Sequence, residues 1–486
     1  MKLVRHTLLN LAGLGLPLLV AVVSIPQLLL LLGTARFGLL TLVWAVVSYF
    51  GLFDLGLGRA LTQRLSQSMR ADPAADPTPV IGTALLLMMG ISALAAMAMA
   101  ALSPVAVDWI QGVPDRAEAL RALLVMSLAV PSVVLAAGLR GVLEAHLAFG
   151  WVNALRIPLG LYTFAAPWAV AHFVGPRLDL IAMALLFGRL AALAAHYVAA
   201  RYVIQTGRIA LVWRRTEVRP LLTMGGWLTV GTLIGPLMGY ADRFIIASAV
   251  SAAAVAYYVT PNELITKLWI VPGALTTVLF PAFAATAGRH DSQSRQLAQQ
   301  GLTWLFVVLL PVTLGLALFS FEVLSLWIGP SFAAESAPVM RLMALGILIN
   351  CMAHVPLTQL QGAGNAQGPA LLQLFQLAPY IGLLWWSSTH FGVIGAAAVW
   401  TARMVLDTSA LFWLNAKQHR EQPTAGVPAR GTTLVLVAAC CAFGGAFISL
   451  PVGTRALIWL GAGVYAALAL HPWRGHAGTP ALGSAS

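Results

Sequence analysis

Charge is what this chain has least of. Of its 486 residues only 9% are Asp, Glu, Lys or Arg, while 59% are hydrophobic. A soluble globular chain carries about 25% charge, so no ordinary water-exposed surface can be made from this composition. The chain reads as a membrane protein. Cysteine is nearly absent too. Cys351, Cys440 and Cys441 all fall in apolar runs, which leaves no disulfide framework or metal-ligand spacing and points to small buried hydrophobes. His146, His172, His354 and His390 are dispersed, so no metal site is expected. There is no Gly-rich phosphate loop and the polar stretches are short, so the residues carry no enzyme signature and imply no cofactor. Long alternation of apolar and polar residues is also missing, which excludes a transmembrane β-barrel.

What is there is a series of long apolar stretches. About 287 hydrophobic residues, at roughly 20 per crossing, suffice for about fourteen helices. The stretches fall near 11–32, 38–58, 81–102, 120–139, 157–174 and 180–200. A second series follows near 221–247, 254–282, 301–324, 338–359, 369–389 and 394–414, then a final pair near 432–450 and 455–471. The first stretch is too long for a signal-peptide core and runs into Gly33-Thr34-Ala35-Arg36 instead of a cleavage site, so it is expected to be retained. Prolines inside the stretches (Pro17, Pro26, Pro158, Pro236, Pro261, Pro272, Pro311, Pro356, Pro379) predict kinks.

Loop charge sets the orientation. With fourteen crossings the termini share one side with the even-numbered loops, and that side holds 18 of the 28 cations. The odd loops hold six: Arg36, Arg116, Arg121, Arg177, Arg341 and Arg455. The positive-inside rule therefore puts both termini in the cytoplasm. Acids divide six and six, so the +12 net charge lies on the cytoplasmic side. Topology accounts for the basic balance, and nucleic acid is not an expected partner.

Eight charges remain inside the stretches: Asp54, Arg189, Asp242, Arg243, Glu263, Lys267, Arg403 and Asp407. Each is costly in hydrocarbon and is expected to face a bundle interior or a wet cavity. Glu263 with Lys267, and Arg403 with Asp407, lie four residues apart, a spacing that lets each pair neutralise itself. Asp242 and Arg243 are adjacent and point about 100° apart on a helix, so they cannot simply satisfy each other. Arginine suits recognition of an anion because its planar fork stays charged.

An internal repeat organises the stretches. The spacing from Pro17 to Phe37-Gly38 recurs from Pro236 to Ala256-Tyr257 at an offset of 219. Leu139-Arg140-Gly141 recurs as Leu360-Gln361-Gly362 at 221, and His172-Phe173 as His390-Phe391 at 218. Arg189 recurs as Arg403 at 214. Six crossings per copy is an even number, so the copies share an orientation and are related by a pseudo-twofold normal to the membrane. The expected architecture is an all-α polytopic membrane protein with two six-helix lobes, 1–206 and 207–420, and two further helices and a cytoplasmic tail over 421–486. It is that of a transporter, with its site between the lobes.

The opening Asn10…Pro17…Ile25-Pro26…Leu32-Gly33…Phe37-Gly38 leads into Tyr49-Phe50-Gly51-Leu52-Phe53-Asp54-Leu55-Gly56-Leu57-Gly58-Arg59-Ala60. The second half carries Gly226-Trp227-Leu228…Pro236…Tyr240-Ala241-Asp242-Arg243-Phe244, Tyr257-Tyr258 and Leu279-Phe280-Pro281. Together, over roughly 1–415, these resemble the oligosaccharide (O-antigen type) flippase family of the multidrug/oligosaccharidyl-lipid/polysaccharide exporter superfamily. The resemblance implies a V-shaped alternating-access carrier in the bacterial inner membrane. Its implied substrate is an undecaprenyl-pyrophosphate-linked oligosaccharide, moved from the cytoplasmic to the outer leaflet among membrane lipid, with a polymerase and other polysaccharide-assembly proteins as implied partners. Candidate substrate-binding residues are Arg243, Arg189, Arg403, Lys267, Arg59, Tyr240 and Tyr257. Asp242, Asp54, Glu263 and Asp407 are candidate coupling or structural carboxylates, and Trp44, Tyr49, Trp227 and Tyr258 could meet sugar. The alternatives are a cation-coupled multidrug extruder or a lipid II flippase of the same superfamily. A glycosyltransferase or polymerase would need a long external catalytic loop, and the longest outer loop, near 103–119, has about 17 residues.

Overall fold

The computed structural model of the chain describes residues 2–50, 56–71, 76–204, 209–285, 292–365, 367–418, 441–448 and 450–474. Among the described residues the regular structure is helical, with no strand. A helix satisfies its own backbone groups in hydrocarbon, where no water can. Eight of the described helices are long and apolar enough to cross a bilayer. The stretch expected at 432–450 lies mostly outside the described residues.

Packing divides the chain into two compact units, Met1–Ala256 and Tyr257–Ser486. The first is built from α1 (Lys2–Phe50), α2 (Leu57–Ala71), α3 (Thr78–Trp109), α4 (Arg116–Ala145), α5 (Phe149–Phe173), α6 (Leu178–Val203) and α7 (Arg215–Ala249). Helix α4 is central and packs on α3, α6, α2 and α1. Its Val130, Val134, Val142 and Leu143 meet Ile81, Ala84, Leu85 and Met88 of α3 and Ala199 and Ala200 of α6. The far side of α3 exposes Leu94, Met97 and Leu102, apolar residues suited to lipid. By packing, α7 belongs to this unit, against α2, α3 and α1.

Two of the longest helices are each broken at one glycine. Gly33 in α1 has φ 74, a left-handed conformation that residues with a Cβ seldom adopt. It separates the stretches expected at 11–32 and 38–58. Gly392, with φ 60, divides the long helix Gln367–Gln418 between the stretches expected at 369–389 and 394–414.

The boundary falls within α8 (Ala252–Thr266), and the second unit runs from its Tyr257 through a 3-10 turn, Lys267–Trp269, into α9 (Ile270–Ala285). Then come α10 (Ser292–Leu318), α11 (Ser320–Trp327), α12 (Pro330–Gly362), α13 (Gln367–Gln418) and α14 (Val452–Arg474). Helix α12 holds the place that α4 has in the first unit, packed on α10 and α13 as α4 is on α3 and α6. Polar side chains lace α13 to α12. Thr401 donates to the Leu342 carbonyl at 2.9 Å, Thr408 to that of Ile349 at 3.3 Å, and Asn415 to the Gln359 side chain at 2.9 Å. These bonds fix the rotation of α13 and so the direction of its charged residues. Cys351 is buried on α12, as expected, but Cys441 is exposed. At the edge of a membrane protein an apolar residue can face lipid as readily as protein. Cys440 lies outside the described residues.

Candidate functional site

The membrane-embedded charges of the first unit fall into two kinds. Arg189 sits near the middle of α6, half-buried. The α5–α6 hairpin that carries it is fastened by the Tyr162 hydroxyl, which donates to the Ala184 carbonyl at 2.8 Å. Among the described residues Arg189 has no hydrogen-bond or ion-pair partner. Arg243 is different. It is 6% exposed and its neighbour Asp242 1%. The Asp242 carboxylate accepts the Arg243 backbone N–H at 2.8 Å, and the Arg243 guanidinium lies 5.0 Å from the centre of the Tyr240 ring. Arg243 is therefore packed into its own unit, whereas Arg189 keeps an open hydrogen-bonding edge. Arg59 is exposed at the start of α2. Asp54 lies outside the described residues, as do the side chains of Tyr49 and Trp227. Trp44 is held edge-on by Phe37 and Phe164, and its buried indole N–H has no partner.

In the second unit Glu263 and Lys267 pair at 2.9 Å, as their spacing allows. Arg403 and Asp407 have the same spacing and do not close into an ion pair. The Arg403 guanidinium sits 4.9 Å from the centre of the Tyr380 ring, and its buried Nε finds no hydrogen-bond partner. The polar groups beside Asp407 are instead the amides of Gln376 and Asn350. Asn350 is set in turn by the indole N–H of Trp269, which donates to its Oδ1 at 2.9 Å. Tyr257 packs on Phe332 and its carbonyl accepts from Ser336, while Tyr258 is fully buried.

Sequence reasoning missed Tyr380, Asn350 and Gln376. Their signal was an amide or phenol within an apolar stretch, which a search for charges passes over.

The two ends of the first unit differ electrostatically. At one, Arg36 forks onto Glu118, which also accepts the Leu178 N–H. Arg121 and Arg177 share Asp179, and Arg116 pairs with Asp108. These are the arginines expected in odd loops, and each has an acid. The remaining two odd-loop arginines lie in the second unit, where Arg455 pairs with Glu322 and Arg341 donates to Ser320. At the opposite end of the first unit Arg64 bonds Glu217 at 2.9 Å, and that carboxylate holds the guanidinium above its usual pKa. Asp76 accepts the Thr78 N–H at 2.9 Å, which lowers its pKa. Arg59, Arg156, Arg214, Arg215 and Arg219 are exposed there. Among the described residues no group of three or more His, Cys, Asp or Glu side chains could hold a metal ion.

Residues 28–337 match the family described as polysaccharide biosynthesis protein. A protein of Shigella flexneri named "Putative O-antigen transporter" is 29% identical over 418 residues, covering 85% of this chain and 98% of that one. Among solved structures, an inward-facing multidrug resistance MATE family transporter of the MOP superfamily superposes with a TM-score of 0.72 at 12% identity, over 84% of this chain and 97% of its own. The lipid II flippase MurJ, in an inward closed conformation, superposes with a TM-score of 0.73 at 10% identity, over 96% and 99%. At such identities the likeness shows the fold, an arrangement of about fourteen helices.

Proposed function

The chain belongs to the polysaccharide biosynthesis protein family, and from that membership we propose that it flips an undecaprenyl-pyrophosphate-linked oligosaccharide from the cytoplasmic to the outer leaflet of the bacterial inner membrane. The transporters and flippases among its relatives and structural neighbours give that reading its class. The observation that carries it is the pair Arg189 and Arg403. They occupy corresponding positions of the internal repeat, each near the middle of a membrane helix, and neither forms an ion pair with a described residue. A cation in hydrocarbon is costly and persists where it has work to do. A pyrophosphate brings concentrated negative charge into that setting, and guanidinium binds it through paired, charge-assisted hydrogen bonds.

In this reading Arg189 and Arg403 receive the anionic head group in successive states of an alternating-access cycle. Tyr380 orients Arg403, Tyr240 and Arg243 hold the α7 wall in place, and both termini are cytoplasmic. Asp242 and Asp407 are the carboxylates available for ion coupling, which requires protonation to differ between states. A polymerase and other assembly proteins would act downstream on the exported glycan.

The test is flipping of a defined undecaprenyl-pyrophosphate-linked oligosaccharide in proteoliposomes, beside uptake of an organic drug cation. The expected result is movement of the lipid-linked sugar alone. Movement of the drug without the sugar would replace this reading with a multidrug extruder.

A further inference from the structure

The segment leading into α7 carries a feature that substrate movement does not use. Residues 209–214 cross the start of α3 without regular structure, yet they are held tightly. The fully buried Thr83 hydroxyl donates to the Val212 carbonyl at 3.2 Å and accepts the Arg214 N–H at 2.9 Å. At Gly82 the strap passes so close that a Cβ would lie 2.5 Å from the Ala210 carbonyl oxygen and 2.5 Å from the Val212 nitrogen. A strap pinned by its backbone throws its side chains outward. Leu211, Val212 and Trp213 are 57%, 42% and 54% exposed.

Three large apolar side chains fixed in a row are unfavourable in water and well placed at a membrane interface, where tryptophan is enriched. Thr83 lies five residues into α3, about 8 Å from its first residue, so the strap sits at the level where that helix leaves the hydrocarbon. The next exposed residues are Arg214, Arg215, Thr216 and Arg219. The acids beside them are engaged: Glu217 is buried against Arg64, and Asp76, which Arg214 faces, accepts from Thr78. On the adjoining α2, Leu57, Ala60, Leu61 and Leu65 are buried while Arg59 points outward. The apolar row and the cationic row thus form one surface, with an anion as its complement.

We propose that residues 211–219 form a binding site for acidic phospholipid. Leu211 and Trp213 enter the interfacial region, and Arg214, Arg215 and Arg219 hold the phosphodiester head group of a lipid such as phosphatidylglycerol. The site anchors the start of α7 to the leaflet independently of any transported substrate.

The experiment is native mass spectrometry of the purified full chain titrated with phosphatidylglycerol or phosphatidylcholine. The parent should favour the acidic lipid about 30-fold at its tightest site, since each of the three arginines near an acidic surface contributes about a threefold gain. Arg214→Ala/Arg215→Ala/Arg219→Ala should bring that preference to about twofold or less, while the corresponding triple Lys variant should retain most of it. Arg156→Ala, an exposed arginine of the same basic end, should leave the preference unchanged. Trp213→Ser should weaken both lipids alike. If the triple Ala variant fails to insert, Arg215→Gln and Arg219→Gln singly should each lower the preference about threefold. A parent with no preference, an alanine triple that keeps it, or silent single variants would overturn the proposal.

Discussion

Glu263–Lys267 and Arg403–Asp407 have the same spacing on membrane helices of one unit, yet only the first is an ion pair. Order along the helix is part of the reason. An acid placed four residues before a base reaches along the helix in the favourable sense, and the reverse order is weaker. Arg403 precedes Asp407, and Asp is one methylene shorter than Glu. Neighbours do the rest, because Tyr380 offers the arginine a ring while the carboxylate lies beside the polar amides of Gln376 and Asn350. Spacing makes contact possible, and the competing partners decide whether it forms. A closed pair is spent on itself, whereas a divided one leaves a cation with hydrogen-bonding capacity in reserve.

The strongest way to break this contrast is to remove the reserved cation. Arg403→Ala should lower flipping in proteoliposomes about 10- to 100-fold, the worth of charged hydrogen bonds to one anion. Arg189→Ala should behave similarly, and Arg403→Lys should recover little of the loss because the bidentate fork is gone. Normal glycan export by the alanine variants, with normal insertion, would end the assignment. Next in size, Asp407→Asn keeps the shape but removes the charge. Flipping should fall several-fold and lose any response to an imposed pH gradient, while a full rate with that response intact would make Asp407 structural.

Reversing the order sharpens the comparison without removing charge. Arg403→Glu/Asp407→Lys recreates the favourable sequence and should close into an ion pair. Thermal unfolding should shift by no more than about 3 °C, yet transport should be lost, because the cation is now engaged. The smallest effect belongs to the closed pair. Both Lys267 and Glu263 are partly exposed, at 47% and 35%, so a double-mutant cycle of Glu263→Gln and Lys267→Gln should give a coupling below about 0.5 kcal/mol. Flipping should change less than twofold. A double variant as inactive as the worse single one, expressed normally, would instead give one of these residues a direct role.

Much of the fold was legible because hydrocarbon imposes a single rule on long apolar runs. The helices Thr78–Trp109, Arg116–Ala145 and Leu178–Val203 cover stretches expected at 81–102, 120–139 and 180–200, and the breaks at Gly33 and Gly392 fall between neighbouring stretches. The Glu263–Lys267 pair was legible because four residues of helix define its geometry. What could not be read were partners set by tertiary packing. Glu118 meets Arg36 across 82 positions, and nothing local to either residue names the other. Tyr380 and Asn350 were invisible for a second reason, since neutral polar groups barely disturb hydropathy. The deep burial of Arg243 also depends on packing around α7, which no pattern within that helix encodes.

The Glu118 carboxylate ties three helices at one point, taking Arg36 from α1 and the Leu178 N–H from the start of α6 onto its own helix, α4. Mechanically this is a fulcrum at the first turns of α4 and α6 and just past the Gly33 break of α1. Helix α4 has 30 residues, which makes a lever of about 45 Å. A tilt of about 5° around the fulcrum would sweep its far tip through about 4 Å, while the tied end hardly moves. The opposite end would therefore take up most of any rocking, and it is there that α2 and the strap at Thr83 are seated.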